Sequence, residues 1–223
     1  MLDRLRADIR AVKERDPAAR NSVEVLLLYS GLHAIMLHRP AYWLYNHDHF
    51  FLARWISQYA KFRTGVEIHP GAKIGRGVFI DHGAGIVIGE TAEVGDGCTL
   101  YQGVTLGGTG KDVGKRHPTL GKNVTVGSGA KVLGPFTIGD NTKIAAGAVV
   151  LEAIPANATA VGVPARVVKL DGVRVTQDLD QIHMPDPVGQ EFASLKEQIT
   201  ALSKRVEQLE KENRALKESR AVE

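Results

Sequence analysis

Residues 68–106 read IHPGAKIGRGVFIDHGAGIVIGETAEVGDGCTLYQGVTL, and residues 120–150 read LGKNVTVGSGAKVLGPFTIGDNTKIAAGAVV. An aliphatic residue returns there at every sixth position. The first run is Ile68, Ile74, Ile80 and Ile86; after a two-residue shift come Ile88, Val94, Leu100 and Leu106. After an interruption the count resumes at Leu120, Val126, Val132, Ile138, Ile144 and Val150. A fixed short period marks a solenoid, and a period of six points to a parallel β-helix. Each hexad supplies one short strand and one turn, and three hexads close a triangular coil. Gly follows the aliphatic residue at Ile74-Gly75, Ile88-Gly89 and Val126-Gly127, where the turn is expected to favour a residue that can take positive φ. Fourteen aliphatic positions in three phased blocks are too many for chance.

Upstream of the repeat the pattern is helical. Leu2, Leu5, Ile9 and Val12 space an amphipathic helix over residues 2–15, closed by Asp16-Pro17. Taken alone, Asp16 reads as a turn residue or a cap. Asn21 or Ser22 caps a second helix to about Leu37, and Pro40 opens a third to about Phe62. That third helix holds both tryptophans and is expected to pack on its neighbour and on the first coil. His33 and His38 are five apart and read as structural; His47 and His49 read as a polar face.

Downstream, Leu195, Ile199, Leu202, Val206, Leu209, Asn213 and Leu216 form heptads. Their a and d residues favour two strands, whereas a trimeric β-helix would deliver three tails; the larger domain is expected to decide for three. The expected organisation is α+β. A helical domain (1–64) precedes a left-handed β-helix (65–170) with a loop at 107–119. A linker (171–190) and a C-terminal coiled-coil helix (191–223) follow.

Composition narrows the class. The net charge of +3 is mixed in sign, with no basic stripe for nucleic acid. No apolar run approaches the ~20 residues of a membrane span, and the start lacks a signal-peptide pattern. Cys98 is the one cysteine, so no intrachain disulfide forms and a cytoplasmic setting is the default.

Two stretches carry chemistry. Glu67-Ile68-His69-Pro70 and Ile80-Asp81-His82-Gly83 place carboxylates and imidazoles beside inward-facing aliphatics. An imidazole with a carboxylate is how a general base is built. The insertion GGTGKDVGKRHPT at 107–119 breaks the period and brings Lys111, Lys115, Arg116 and His117. Long insertions in solenoids are usually functional loops. It is no P-loop, because neither Ser nor Thr follows Lys115.

Together the hexads, Asp81-His82-Gly83, Gly-Glu-Thr at 89–91, the loop motif at 104–110, Arg116-His117-Pro118 and Gly-Val-Pro-Ala-Arg at 162–166 resemble serine O-acetyltransferases of the short type. The resemblance covers about residues 1–168. It implies transfer of acetyl from acetyl-CoA, a co-substrate, to the L-serine hydroxyl, the first step of L-cysteine biosynthesis, with no metal and with L-cysteine as inhibitor. It makes His82 the base and Glu67 its orienting carboxylate, where many relatives have Asp. It assigns Asp16, Asp81, Arg116 and His117 to serine, and Gly108, Ser128, Lys143 and Ala146 to the CoA groove between subunits of a homotrimer. Cys98 is expected in packing. The chain ends Ala221-Val222-Glu223 rather than in the Ile that relatives insert into O-acetylserine sulfhydrylase, so no such complex is expected through this terminus. The rival readings are a γ-type zinc carbonic anhydrase using His69, His82 and His117, a related hexapeptide acetyltransferase, and a non-catalytic scaffold.

Overall fold

The structure, a computed structural model, describes residues 2–110, 113–170, 195–206 and 208–209. The linker expected at 171–190, with Lys111, Asn213 and Leu216, lies outside the described residues. The chain divides into two units, 1–185 and 186–223.

Four helices open the first unit: α1 (Leu2–Arg15), α2 (Ser22–Leu28), α3 (Ser30–Tyr45) and α4 (Phe50–Thr64). α1 buries Val12, with Leu5 and Ile9 packed beside it, against Val25, Leu32 and Phe79. Asn21 caps α2, its side chain accepting from the Val23 and Glu24 amides.

Two sequence expectations fail here. The helix expected to run on to Leu37 breaks at Tyr29, whose extended backbone separates α2 from α3. The break sets Gly31 against Ile80, where a Cβ would lie 2.1 Å from the Ile80 carbonyl oxygen. Pro40 does not open a helix but lies inside α3, and the chain turns instead at residues 46–49, with Asp48 at φ 61°. The two tryptophans therefore fall on different helices, Trp43 on α3 and Trp55 on α4. α4 lays Ala53, Ser57, Ala60 and Thr64 inward, while Trp43 and Trp55 stay exposed.

The hexads build a three-faced prism of parallel strands. Face A holds β1 (Glu67–Ile68), β4 (Val87–Ile88), β7 (Thr105–Gly107), β10 (Lys131–Leu133) and β13 (Val149–Val150). Face B holds β2 (Lys73–Ile74), β5 (Glu93–Val94), β8 (Thr119–Leu120) and β11 (Thr137–Ile138). Face C holds β3 (Phe79–Ile80), β6 (Thr99–Leu100), β9 (Thr125–Val126), β12 (Lys143–Ile144) and β14 (Ala158–Val161). It closes with antiparallel β15 (Arg166–Leu170). The hexad aliphatics fill the prism, and of the fourteen only Ile74 is less than fully buried. The position two before most of them also points inward, as at Val66, Ala72, Val104 and Val124. Cys98 occupies one such position; its thiol donates to the Gly121 carbonyl (3.1 Å), and burial pushes its pKa up to about 12.

The helices cover the start of this prism. Arg15 of α1 reaches the Cys98 carbonyl and the Thr99 hydroxyl, each at 3.2 Å. Buried Asp8 pairs with Arg39 and accepts from the Gly77 amide. Ser57 of α4 donates to the Ile68 carbonyl, and His38 of α3 to the Ala72 carbonyl.

Regular turns between strands take four residues, as at 69–72, 75–78 and 89–92. Besides 151–157, which carry the Ile154 bridge to Ile138 in place of a strand, two connections are longer. The turn 81–86 takes six residues, so Glu67 pairs with Val87, twenty residues on, where later coils repeat at eighteen. The connection 108–118 takes eleven and stretches one coil to twenty-six. The two phase breaks in the sequence are these two excursions.

In the second unit, residues 195–206 and 208–209 are helical. Among the described residues no helix is long and apolar enough to cross a membrane.

Candidate active site

The six-residue turn lies on the edge where face C passes to face A. His82 sits on it in the left-handed region (φ 56°), followed by Gly83 at φ 79°. A side chain held there costs strain that a fold keeps where the position matters. A Cβ on Gly83 would meet Val66 Cγ2 at 2.8 Å, which explains the glycine. The turn presents the His82 ring to solvent, 73% exposed, while the neighbouring Asp81 side chain is mostly covered. Ser30 at the head of α3 donates to the His82 carbonyl (3.1 Å). Asp81 Oδ1 lies 3.9 Å from His82 Nε2. Burial raises the Asp81 carboxyl above the usual range; His82 opposes that and the Asp16 carboxylate adds to it.

Asp16 reaches this edge from the end of α1. One oxygen accepts from the Ala18 amide (2.8 Å), the other from the Tyr29 hydroxyl (2.6 Å). Burial and that bond push the Tyr29 phenol well above its ordinary value. The structure thus gathers Asp16, Asp81 and His82, and adds Tyr29.

Glu67 is placed differently. Its segment lies beside the turn, because the Gly85 amide donates to the Gly65 carbonyl (3.0 Å). The carboxylate itself pairs with Lys61 (2.6 Å), and among the described residues no hydrogen bond or ion pair joins it to His82.

The second cluster lies on the edge from face A to face B. The Arg116 guanidinium pairs with Glu90, which also accepts from the Tyr45 hydroxyl (2.6 Å). These two bonds hold the Glu90 carboxyl below its usual range, the tyrosine first. His117 is buried against the 89–92 turn. A Cβ on Gly89 would lie 2.0 Å from its Cδ2. The Thr91 amide donates to His117 Nδ1 (3.2 Å), and the Thr91 hydroxyl is 2.9 Å from the same nitrogen. Burial pulls the His117 ring below the usual histidine range; Arg116 adds and Glu90 opposes. His69, on the same edge, is lowered chiefly by burial and feels Arg54 next, with His117 a smaller influence.

The positions expected to line the CoA groove divide the same way. Ser128 and Ala146 occupy turns on the C–A edge, on the column that carries His82. There the amides of Gly103, Gly129 and Gly147 donate to the carbonyls of Ala84, Gln102 and Ser128, each at 2.8 Å. Lys143 lies in β12 of face C. Gly108 belongs to the A–B loop, and a Cβ there would meet the Arg116 carbonyl oxygen at 3.0 Å and His117 Nε2 at 3.3 Å. So one chain displays an imidazole with acidic groups on one edge, and a cation with an imidazole on another. His82 is therefore not grouped with His69 and His117 within the chain. Tyr29 and Tyr45 escaped the sequence reading, and Glu90 and Thr91 entered it only as part of the Gly-Glu-Thr motif, with no site role. The one further signal of that pair was its polarity in the coil just after the inward Ile88.

Residues 1–36 match the family model for the N-terminal region of serine acetyltransferase, and residues 117–152 the model for bacterial transferase hexapeptide (six repeats). A serine acetyltransferase of Bacillus subtilis is 55% identical over 203 residues, 91% of this chain and 94% of that one. The chain belongs to the serine acetyltransferase family. Two solved serine acetyltransferases share its fold. One, in complex with cysteine, has a TM-score of 0.78 at 42% identity, covering 82% of this chain and 72% of that one. The other, from Brucella abortus in complex with coenzyme A, has a TM-score of 0.75 at 45% identity, covering 77% and 68%. The acetyltransferase reading thus stands above the zinc reading for this member of the family.

Proposed function

We propose that this chain transfers the acetyl group of acetyl-CoA to the hydroxyl of L-serine, giving O-acetyl-L-serine and CoA for cysteine synthesis. The observation that carries this is the exposed His82 ring, held on a strained turn beside Asp81, in a chain 55% identical to a serine acetyltransferase. His82 takes the proton from the serine hydroxyl as its oxygen bonds the thioester carbon. The C–S bond then breaks, and the proton passes from the imidazolium to the leaving thiolate. Glu67, on the neighbouring segment, would have to exchange its Lys61 partner to orient the base, and Asp81 is the carboxylate now beside the ring. Asp16 and Asp81 answer the substrate ammonium, and Arg116 with His117 its carboxylate. Amides near Gly108 face the thioester oxygen as charge develops. Ser128, Lys143 and Ala146 line the CoA groove.

The site forms between protomers of a homotrimer. The division of both residue sets between the C–A and A–B edges supports this, since two prisms side by side bring unlike edges together. The coil is left-handed, as in hexapeptide acyltransferases. The tail is a parallel coiled coil: Leu195, Ile199, Leu202, Val206 and Leu209 lie at heptad spacing and are 42–66% exposed within the chain. L-cysteine, which a related enzyme is seen to bind, competes with serine for the same ammonium and carboxylate contacts. The reaction is cytoplasmic, which the buried, unpaired Cys98 fits. The test is release of CoA thiol from acetyl-CoA with and without L-serine. Serine-dependent release is expected; thiol release indifferent to serine would overturn the proposal.

A further inference from the structure

We infer that Thr91 is the positioning residue of the serine site, a latch that seats the 108–118 loop and fixes the proton of His117 on Nε2. The inference rests on the acetyltransferase reading, with Arg116 and His117 as the carboxylate contacts. Three consecutive loop residues converge on this one threonine. The Lys115 ammonium donates to the Thr91 carbonyl (2.7 Å). The amides of Arg116 and His117 both donate to the Thr91 hydroxyl oxygen, at 3.1 and 3.2 Å. That oxygen has two lone pairs and one proton. With two amides on its lone pairs, its proton is free for His117 Nδ1, 2.9 Å away. The Thr91 amide points at the same nitrogen (3.2 Å). Nδ1 therefore accepts, and the proton of the neutral ring sits on Nε2.

Nε2 lies in the gap left by two glycines, 2.1 Å from where a Cβ on Gly89 would stand and 3.3 Å from one on Gly108 at the loop base. The latch thus does two things. It fixes the backbone from which Arg116 and His117 reach the substrate, and it makes His117 a donor on the side where the serine carboxylate would lie. No atom of Thr91 is assigned to the substrate itself, so its action passes through its neighbours.

Removing the hydroxyl leaves two amides without an acceptor and His117 with one donor fewer. The variants are Thr91→Ala, Thr91→Val, which keeps the shape, and Thr91→Ser, which keeps the hydroxyl. Steady-state kinetics at varied serine and varied acetyl-CoA give the split. For Ala and Val, kcat/KM for serine should fall roughly tenfold to hundredfold, the scale of leaving such donors unpaired. The KM for acetyl-CoA should stay within about twofold, and Thr91→Ser should recover most of the loss. Equal loss toward both substrates, or no recovery in Thr91→Ser, would overturn the inference. Histidine ¹⁵N shifts of the wild-type enzyme supply a readout that survives a misfolded variant: a neutral His117 ring protonated on Nδ1 would also overturn it. Serine-dependent thiol release by the wild type, run alongside, separates failure of this inference from failure of the activity itself.

Discussion

At the scale of the residue, the chemistry depends on a few side chains held against their preferences. His82 occupies a left-handed position that a bulky residue rarely takes, and keeps its ring in solvent (φ 56°). His82→Ala keeps the Cβ, and with it the left-handed backbone position, and removes the base. It is expected to fold normally and to lose kcat by ~10²–10⁴, the contribution of a general base; near-normal turnover in the folded variant would contradict the assignment. Asp16 is braced by Tyr29 and the Ala18 amide. Asp16→Ala is expected to raise both the serine KM and the Ki of L-cysteine, with inhibition competitive against serine. Cysteine inhibition that ignores serine concentration would contradict a shared site.

A residue away from the chemistry sets an acid limit. Burial holds the His38 ring neutral, its pKa lowered from 6.5 to about 4. Between those values the unfolded chain binds a proton that the folded chain does not, so stability falls as the pH is lowered through that window. The loss for this group is about 3 kcal/mol at most. His38→Gln is expected to flatten the fall in unfolding midpoint between pH 6.5 and 4, measured by urea denaturation. A slope equal to the wild type's would show that another group sets it.

At the scale of the element, strands were legible and helix ends were not. The hexads could be read because each inward aliphatic must meet the one a coil away, so the period survives in sequence. Even the two phase breaks carried information, being the six-residue turn of His82 and the eleven-residue loop of Arg116 and His117. Helix boundaries depend on partners distant in sequence. Tyr29 leaves the helix where Gly31 closes on Ile80, and Pro40 stays inside α3. The contacts of Glu90 and Thr91 cross some twenty-five residues of sequence, which no local pattern announces. The tail makes an element-level prediction of its own. Its apolar residues have no partner surface in their own helix, so a chain truncated after Leu170 is expected to stay an active trimer with a lower melting temperature. An inactive monomer would show that the tail is required for assembly.

At the scale of the whole molecule, the prism works as a rack that displays unlike chemistry on separate edges. Asp16, Asp81 and His82 are gathered on the C–A edge; Glu90, Thr91, Arg116 and His117 on the A–B edge. A serine molecule spans only a few ångströms and cannot touch both edges of one prism. Each site therefore needs two protomers, and mixing two dead variants tests this most directly. His82→Ala and Arg116→Ala homotrimers are each expected to have little activity. When the two are unfolded together in equal amounts and reassembled, each mixed trimer has one interface of its three that pairs an intact His82 with an intact Arg116, so about one site in four of the whole mixture should recover. Serine-dependent thiol release at that level is the predicted result. A mixture no more active than its parents, although mixed trimers have formed, would contradict a site shared between protomers.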